Sequence, residues 1–500
     1  MSKMKLLSKN MLFTVGYQFL FVVTTFVIRK CFISFLGVEM LGVNSVYTNL
    51  LSALNLAELG IGSAITSHLY KPLYENDVDQ INVLMSVFKK LYNILGIVVF
   101  VVGIVVSFKV SLFFPAISID SFFLQILFLL DLVGTTSTYF LAYYRTLLIA
   151  DQKNIFISFS DSIVQLCIAV LQIICLFYLK SFTIFLILNV FKNIISNILI
   201  RLYVKKNYSL KFVKLNKKNK KVFKQILDYV KDVSIAKIGA YIYYGTDNLI
   251  ISFFKGAILT GLISNYTLIT TTLKNLITAF LNPVQATLGA LFVRETDAKK
   301  RFEVFRVYWQ FILIISLIVC VEIVCLSDDF IILFFGESYV ISKSTLYLLG
   351  INLFMTILLI LPSQLFVIFR LYQYDKIIVS ISAVLNILIS ICLIQIIGVD
   401  GVFIGTFITS IVYLLSRLYI IARKVLFMNF YKIMKLIIKS FTFIIIVTLI
   451  VIKVSHFISV SNIFILIGKA FLILILLCLF SLLLIFDKKN RMFLIRLIRR

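Results

Sequence analysis

The chain alternates long apolar runs with short polar segments that are mostly basic. A helix needs about 20 apolar residues to cross a bilayer, and a window of that length predicts fourteen spanning helices. Their centres fall near residues 20, 53, 98, 134, 166, 191, 243, 273, 315, 355, 386, 410, 445 and 473. The run IILFF, between Asp328 and Tyr347, is too short to span and is expected to lie at the membrane interface. The pattern predicts an all-α, polytopic membrane protein.

An internal repeat emerges when the chain is shifted by 219 positions. FLGVEMLGVNSVYT, from Phe35, then aligns with FKGAILTGLISNYT, from Phe254, and six positions agree, including both glycines. Each stretch lies at the junction between the first and second span of its half, which favours a duplication. Because each half holds an even number of spans, the halves are predicted to be parallel repeats, related by an axis along the membrane normal, that enclose a central cavity.

The spans and the repeat predict four segments. They are an N-terminal six-helix bundle at 1–204, a basic cytoplasmic linker at 205–231, a second six-helix bundle at 232–425, and two additional helices with a basic tail at 426–500. The apolar stretch that follows MSKMKLLSKN lacks a small-x-small cleavage site. It is therefore interpreted as a retained first span and not as a signal peptide.

Composition agrees with a membrane protein and limits the meaning of the charge. Hydrophobic residues make up 61% of the chain and the mean hydropathy is +1.07, against about 45–50% apolar residues in soluble domains. The net charge of +27 is typical of nucleic-acid binders, but charged residues are only 14% of the chain and form no basic domain. Nucleic-acid binding is therefore not expected.

The basic residues fall mainly in alternate loops, which predicts the topology. Lys and Arg accumulate on the cytoplasmic side of membrane proteins. Applied here, that rule predicts an even number of spans with both termini in the cytoplasm. The expected location is a bacterial cytoplasmic (inner) membrane. The basic linker is expected to rest on anionic lipid headgroups, with docking of a partner protein or an anionic substrate headgroup as the alternative.

Nothing in the chain suggests a metal, a cofactor or catalysis. The seven cysteines lie in or beside apolar runs without CxxC spacing, and the two histidines, His68 and His456, are far apart. The sequence contains no Gly-rich phosphate loop and no plausible Ser-His-Asp arrangement. We therefore expect neither a cofactor nor an enzyme, but a transporter.

Charged residues within the predicted spans are the candidate functional groups. Such a residue costs about 2.5–3.5 kcal/mol at a helix centre, so it tends to face water or another charge. We predict that Arg29, Lys237 and Lys274 line the cavity and bind an anionic group. The alternatives are snorkelling for Arg29 and Lys30, and an ion pair, for example with Asp247, for Lys237 and Lys274. Cavity-lining roles are also predicted for three further residues, Lys30, Asn44 and Tyr47.

Acidic residues within the spans are candidates for coupling or gating. Glu58 is followed by Gly60 and Gly62, which permit close helix approach, and we predict that it is a protonation or ion-coupling site. The alternative is a buried carboxylate that holds two helices together. Asp131 and Asp247 are the other candidates, whereas Lys192 and Lys469 are interpreted as structural because nothing nearby repeats their pattern.

Two stretches resemble a known family. The run from Arg29 through Lys90, RKCFISFLGVEMLGVNSVYTNLLSALNLAELGIGSAITSHLYKPLYENDVDQINVLMSVFKK, resembles the N-terminal region of Wzx-type polysaccharide flippases of the multidrug/oligosaccharidyl-lipid/polysaccharide exporter superfamily. The segment from Thr246, TDNLIISFFKGAILTGLISNYTLI, is similar to that family's second-half counterpart. The resemblance covers most of residues 1–425.

The resemblance implies two six-helix bundles that expose a cavity alternately to each side. The implied cargo is an undecaprenyl-diphosphate-linked oligosaccharide, carried to the outer leaflet for surface polysaccharide, with polysaccharide polymerase machinery as a partner. Arg29 matches a basic position used toward the diphosphate in related flippases. Two alternatives remain: a proton- or sodium-coupled drug antiporter of the same superfamily, and a membrane polysaccharide polymerase or ligase, for which the predicted outer loops are short.

Overall fold

A computed structural model describes residues 3–55, 58–115, 117, 119–213, 245–294 and 297–485. Within these ranges the chain forms fourteen α-helices and two short 3₁₀ helices. The α-helices are α1 Lys3–Leu54, α2 Glu58–Glu75, α3 Val78–Ser107, α4 Ser121–Ala150, α5 Asn154–Leu179, α6 Phe182–Asn207, α7 Asp247–Arg294, α8 Ala298–Phe334, α9 Lys343–Leu358, α10 Ile360–Ile368, α11 Tyr372–Ile397, α12 Val399–Lys424, α13 Phe430–Ser455 and α14 Ile463–Ile485. The 3₁₀ helices are Val110–Phe113 and Glu337–Tyr339.

Eleven of the described helices are long and apolar enough to cross a membrane, and the predicted all-α, polytopic fold is confirmed. Three of the fourteen predicted spans are not counted separately among the eleven. The long helix α1 contains the first predicted span and the start of the second, and much of the span predicted near residue 243 lies outside the described residues. The span predicted near 445 is described in part, with an apolar stretch at Ile445–Ser455.

The two longest helices are kinked at repeat-related glycines. Gly37 in α1 has φ 83° and ψ 170°, and Gly256 in α7 has φ 83° and ψ 176°. A side chain disfavours this backbone conformation, which glycine adopts freely. The two glycines are 219 positions apart, the same shift that aligns the sequence repeat. The motif therefore marks the point where each half changes direction between its first two spans.

The apolar run after Asp328, predicted to lie at the membrane interface, belongs to a longer helix, and its depth in the membrane stays a prediction. Helix α8 continues without interruption through the IILF residues and ends at Phe334. The following Gly336 has φ 109°, and its backbone N–H donates to the carbonyls of Ile331 and Ile332. Such glycine-dependent closure is a common way to end a helix, so the apolar run forms the last turns of the long helix α8.

The described helices belong to two compact units, Met1–Gly261 and Leu262–Arg500. In the first unit α4 packs against α3 and α6, and α1 packs against α5. Phe32 of α1 meets the rings of Phe182 and Phe185 edge-on, with centroids 5.5 Å and 5.0 Å away. The predicted segment boundaries at 204, 231 and 425 stay predictions, since most of the linker lies outside the described residues.

A glycine contact joins α1 to the start of α7 within the first unit. A Cβ placed on Gly42 would lie 1.9 Å from the carbonyl oxygen of Ala257. A Cβ on Gly261 would lie 2.2 Å from the carbonyl oxygen of Val38. Val38 and Ala257 are also 219 positions apart, so the two contacts are equivalent under the repeat. Both helices therefore approach through surfaces on which only glycine leaves enough room.

The first residues of the predicted linker pack against the first unit. The amide of Lys211 donates to Asn82 Oδ1, and the amide of Val213 donates to Ser86 Oγ, each at 2.9 Å. Tyr208 donates to Asp151, and burial together with this hydrogen bond raises the pKa of Tyr208 to about 12. The chain thus leaves α6 as a segment attached to α3 and to the α4–α5 turn.

The second unit attaches its last helix through an ion pair. Lys469 of α14 is 7% exposed, and its Nζ lies 2.8 Å from Asp329 Oδ2 of α8. The adjacent Asp328 faces other groups, because it accepts from Tyr266 at 2.6 Å and from Lys343 at 2.5 Å. The structural interpretation of Lys469 agrees with this placement.

We expect Lys469→Met to lower the thermal stability of the purified protein by roughly 3–8 °C, because it leaves the Asp329 carboxylate without its cation at a helix contact. A thermal unfolding scan in detergent measures the change. Lys453→Met, at an exposed position of α13, is the control and is expected to unfold at the wild-type temperature. Equal stability of the Lys469 and Lys453 variants would contradict a role of the ion pair in holding α14.

Candidate functional site

A cluster of charged and polar side chains joins α4, α5 and α6 in the first unit. Arg145 of α4 donates to both carboxylate oxygens of Asp161 of α5, at 2.7 Å and 3.0 Å. Arg145 also donates to Ser196 Oγ of α6 at 3.0 Å, and the Ser196 hydroxyl donates to Asp161. We call these three residues the first clamp. Its bidentate geometry is the strong form of an Arg–carboxylate pair.

The first clamp forms one wall of a cleft of about 330 Å³ within the first unit. The rest of the lining is rich in amides and hydroxyls, with one aromatic ring and one amine. The lining residues are Phe21, Thr138, Ala142, Arg145, Asp161, Val164, Gln165, Lys192, Asn193, Ser196 and Asn197. The cleft therefore combines hydrogen-bonding side chains with apolar surface.

Lys192 gives the cleft a second cation, and two carboxylates balance the pair. Lys192 interacts electrostatically with Asp131 of α4 and with Asp161. Together with Arg145, the cluster therefore contains two basic and two acidic side chains, and its formal charges cancel. The structural interpretation of Lys192 missed this arrangement, because the partner carboxylates lie on other helices.

The second unit contains a clamp of the same composition with two roles exchanged. Arg417 of α12 donates to both oxygens of Asp375 of α11, at 2.7–2.9 Å, and to Ser363 Oγ of α10 at 2.5 Å. We call these residues the second clamp. In both clamps the Asp lies on the fifth span of its half. In the first clamp the Arg lies on the fourth span and the Ser on the sixth, whereas in the second clamp the Ser lies on the fourth span and the Arg on the sixth.

The two clamps differ in their exposure. The Arg417 side chain is 5% exposed, and its guanidinium lies 4.2 Å from the ring centroid of Tyr413 and 5.2 Å from that of Phe366. The Arg145 side chain is 29% exposed and borders the cleft. The second clamp is thus a closed packing element, whereas the first faces an open space.

The predicted anion-binding residues fall in different parts of the chain. Arg29 is half-buried near the middle of α1, before its kink, and the neighbouring Lys30 is exposed. Lys274 is half-buried in α7 within the second unit, and Lys237 lies outside the described residues. Their shared cavity stays a prediction. Between Arg29 and Lys30, the difference in exposure favours Arg29 as the residue that faces protein.

The repeat tyrosines are packing residues. Tyr47 is fully buried, its hydroxyl donates to the Leu124 carbonyl at 2.7 Å, and its ring meets Phe128 edge-on. Its repeat counterpart Tyr266 is also buried and donates to Asp328. This burial does not favour the predicted cargo contact of Tyr47, whereas the half-buried Asn44 keeps its predicted role open.

The predicted coupling residues are also separated. Glu58 opens α2, but its side chain lies outside the described part of the structure. Asp131 is half-buried in α4 near Lys192, so it belongs to the charged cluster of the cleft. Asp247 is half-buried at the start of α7. Among the described residues, no three His, Cys, Asp or Glu side chains are grouped as a metal site would require.

Comparison with solved structures finds the same architecture elsewhere. A lipid II flippase, MurJ, in an inward closed conformation matches with a TM-score of 0.72 and 16% identity, covering 96% of this chain and 99% of MurJ. An inward-facing multidrug resistance MATE family transporter of the MOP superfamily matches with a TM-score of 0.63 and 16% identity, covering 81% of this chain and 94% of the transporter. The chain has the fold of the MurJ and MATE transporters.

A eukaryotic MATE transporter, AtDTX14, matches with a TM-score of 0.58 and 13% identity, covering 87% of this chain and 98% of its own. No protein-family model and no curated protein matches the sequence. At these identities the likeness establishes the fold, and with the apolar helices it identifies a multi-pass membrane protein.

Proposed function

We propose that the protein is a flippase that moves a polyprenyl-diphosphate-linked oligosaccharide from the cytoplasmic to the outer leaflet by alternating access, for surface polysaccharide. One observation carries the proposal: the likeness to the lipid II flippase MurJ extends over 96% of this chain and 99% of MurJ. The MATE matches named above cover 81% and 87% of this chain. The Wzx-like stretch from Arg29 through Lys90 supports the choice of cargo.

The proposed cargo suits the physics of the chain. A polyprenyl tail stays in lipid while the sugar and diphosphate cross through a polar path, which agrees with a protein that carries half-buried cations at Arg29 and Lys274. Outward movement of negative charge is favoured by an inside-negative potential, by roughly 2.3 kcal/mol per charge and 100 mV. A dianionic headgroup therefore has a driving force without ion coupling.

Deleting the gene from its host is the direct test. We expect surface polysaccharide to be lost and the lipid-linked oligosaccharide to accumulate in the cytoplasmic leaflet, with recovery when the full chain is supplied again. Normal surface polysaccharide in the deletion strain would overturn the proposal.

We expect Arg29→Ala and Lys274→Ala each to reduce surface polysaccharide at least tenfold, because each removes a charged hydrogen-bond donor, worth about 1.5–3 kcal/mol, from the proposed diphosphate path. Lys109→Ala, an exposed basic residue on the predicted outer side, is the matched control and is expected to leave export unchanged. Immunoblotting checks that all variants reach equal levels. Normal export by both test variants would show that these cations do not bind the cargo.

A second candidate is an ion-coupled antiporter for small molecules, which the MATE-like fold favours. Cationic drugs require an acidic cavity, whereas basic residues rival the acidic ones within the described spans. This candidate predicts drug efflux that depends on Glu58, measured with a fluorescent cation in membrane vesicles. Efflux that Glu58→Gln abolishes, in a strain with unaltered polysaccharide, would replace the flippase proposal.

A further inference from the structure

The cleft of the first unit contains hydrogen-bonding groups that the protein itself does not use. Gln165 of α5 is 8% exposed, lines the cleft, and forms no hydrogen bond with the part of the chain that the structure describes. Its amide atoms are not among the fully buried unpartnered ones, so they are open to the cleft. The amide can therefore bind a ligand there or the water that a ligand displaces.

Two asparagines of α6 present acceptor oxygens. Asn193 Nδ2 donates to the backbone carbonyl of Gly134 at 3.2 Å, and Asn197 Nδ2 donates to the backbone carbonyl of Asn193 at 2.9 Å. A backbone carbonyl only accepts, so each amide must turn its NH₂ toward it. The Oδ1 atoms of both side chains are left to accept hydrogen bonds from something else.

The charges of the cleft are already neutralised. Arg145 uses both terminal nitrogens on Asp161 and Ser196, and the charge of Lys192 is balanced by Asp131 and Asp161. A phosphate group has no donors for the asparagine oxygens and finds no unbalanced cation. A neutral sugar instead has hydroxyls that both donate and accept, and it suits a lining of amides and hydroxyls with one aromatic ring at Phe21.

We propose that this cleft binds one neutral sugar residue of the cargo and selects it through Gln165, Asn193 and Asn197. Its volume of about 330 Å³ lies at the small end of the range of about 300–1,000 Å³ for small-molecule pockets, which suits a single sugar residue. The inference rests on the proposed function for the origin of the sugar. In this proposal the neutral cleft selects the sugar, whereas Arg29 and Lys274 bind the diphosphate.

The test is binding of defined sugars to the purified full-length protein in detergent. The probes are methyl glycosides of glucose, galactose and N-acetylglucosamine, and saturation-transfer NMR measures their contact with the protein. We expect at least one glycoside to bind and inorganic pyrophosphate, added in excess, not to displace it. Gln165→Leu is expected to weaken binding about fivefold, as loss of one or two hydrogen bonds implies.

A matched control and a second variant protect the test against misfolding. Gln172→Leu changes the same residue type on the same helix, at a buried amide that already donates to Asn189 at 3.0 Å, and is expected to keep wild-type binding. Thr138→Val, a near-isosteric change in the cleft wall, is expected to weaken binding about twofold. Both cleft variants must unfold at a temperature close to that of the wild type or of the Gln172 variant.

Several outcomes would overturn the assignment. They are no binding of any of the three glycosides, equal binding by the Gln165→Leu and wild-type proteins, and displacement of the sugar by pyrophosphate. Binding does not depend on transport, so the two proposals fail separately. If Gln165→Leu weakened sugar binding but the deletion strain kept its polysaccharide, the sugar site would be supported and the flippase proposal rejected. If the deletion strain lost its polysaccharide but the purified protein bound no sugar, the flippase proposal would be supported and the sugar site rejected.

Discussion

Gly42→Ala is expected to destabilise the first unit by about 1–3 kcal/mol or more, the cost of overpacking a closely packed contact. The added Cβ would lie 1.9 Å from the Ala257 carbonyl oxygen, whereas a favourable carbon–oxygen contact lies at about 3.3–3.6 Å. The obstructing atom belongs to the backbone, so no rotamer change relieves the overlap. The start of α7 must therefore move away from α1.

Thermal unfolding of the purified protein checks this prediction, with an expected loss of roughly 5–10 °C. Gly261→Ala is expected to behave alike, because its Cβ would lie 2.2 Å from the Val38 carbonyl oxygen. Gly468→Ala is the control, since a Cβ there has no described heavy atom within 4 Å. A Gly-to-Ala change at an exposed helical position is neutral or slightly stabilising. Wild-type stability of the Gly42 variant would show that this close approach does not hold the helices together.

The glycine contact also shows which features the sequence predicts well. The 219-residue shift pairs Gly37 with Gly256 and Gly42 with Gly261, and the structure gives the first pair the same backbone conformation and the second pair equivalent contacts. Backbone requirements of this kind admit few residue types, so the glycines persist where other positions have diverged. Long apolar runs predict the helices for a similar reason, because a membrane accepts few alternatives.

The clamps were not predicted, and their geometry explains the omission. In the first clamp the partners of Arg145 lie 16 and 51 positions away, on two other helices. The shift that aligns the repeat pairs Arg145 with Gln364, one position beyond the clamp residue Ser363. Because Arg and Ser also exchange helices between the halves, no residue-by-residue comparison reveals the correspondence. Only packing of three helices brings the clamp side chains together.

Site prediction from residue type had the same limit. Tyr47 was predicted to line the cavity, yet its hydroxyl donates to a backbone carbonyl in the core. Gln165 and Asn193 were not predicted, because uncharged amides in a spanning helix form no recognisable pattern. Charge reveals a candidate in the sequence, whereas an unused hydrogen-bonding group is visible only after its neighbours are placed.

Arg417→Met is expected to lower the free energy of unfolding by about 3–5 kcal/mol, because it leaves the Asp375 carboxylate as an uncompensated charge among packed helices. The variant also loses the contacts of the guanidinium with Tyr413 and Phe366. We expect it to accumulate poorly in the membrane. Arg423→Met, an exposed position on the same helix, is the control and is expected to accumulate normally.

The equivalent change in the first clamp is expected to cost less. Arg145→Met leaves Asp161 close enough to Lys192 for electrostatic compensation and beside a cleft that water can enter. We expect a loss of about 1–2 kcal/mol, within the range for an unsatisfied polar group. Thermal unfolding of both variants, prepared in the same detergent, measures the difference. Equal losses would show that the cleft and Lys192 do not compensate Asp161.

The double variant Arg417→Met with Asp375→Leu separates the charge from the packing. Replacing both members of a buried ion pair by apolar residues is often neutral or stabilising, so most of the stability lost in Arg417→Met is expected to return. The corresponding double change at Arg145 and Asp161 is expected to restore less, because it exposes apolar side chains to a polar cleft. If both double variants recovered equally, the two clamps would be equivalent packing elements, and the contrast between a closed second clamp and a first clamp that borders an open cleft would be wrong.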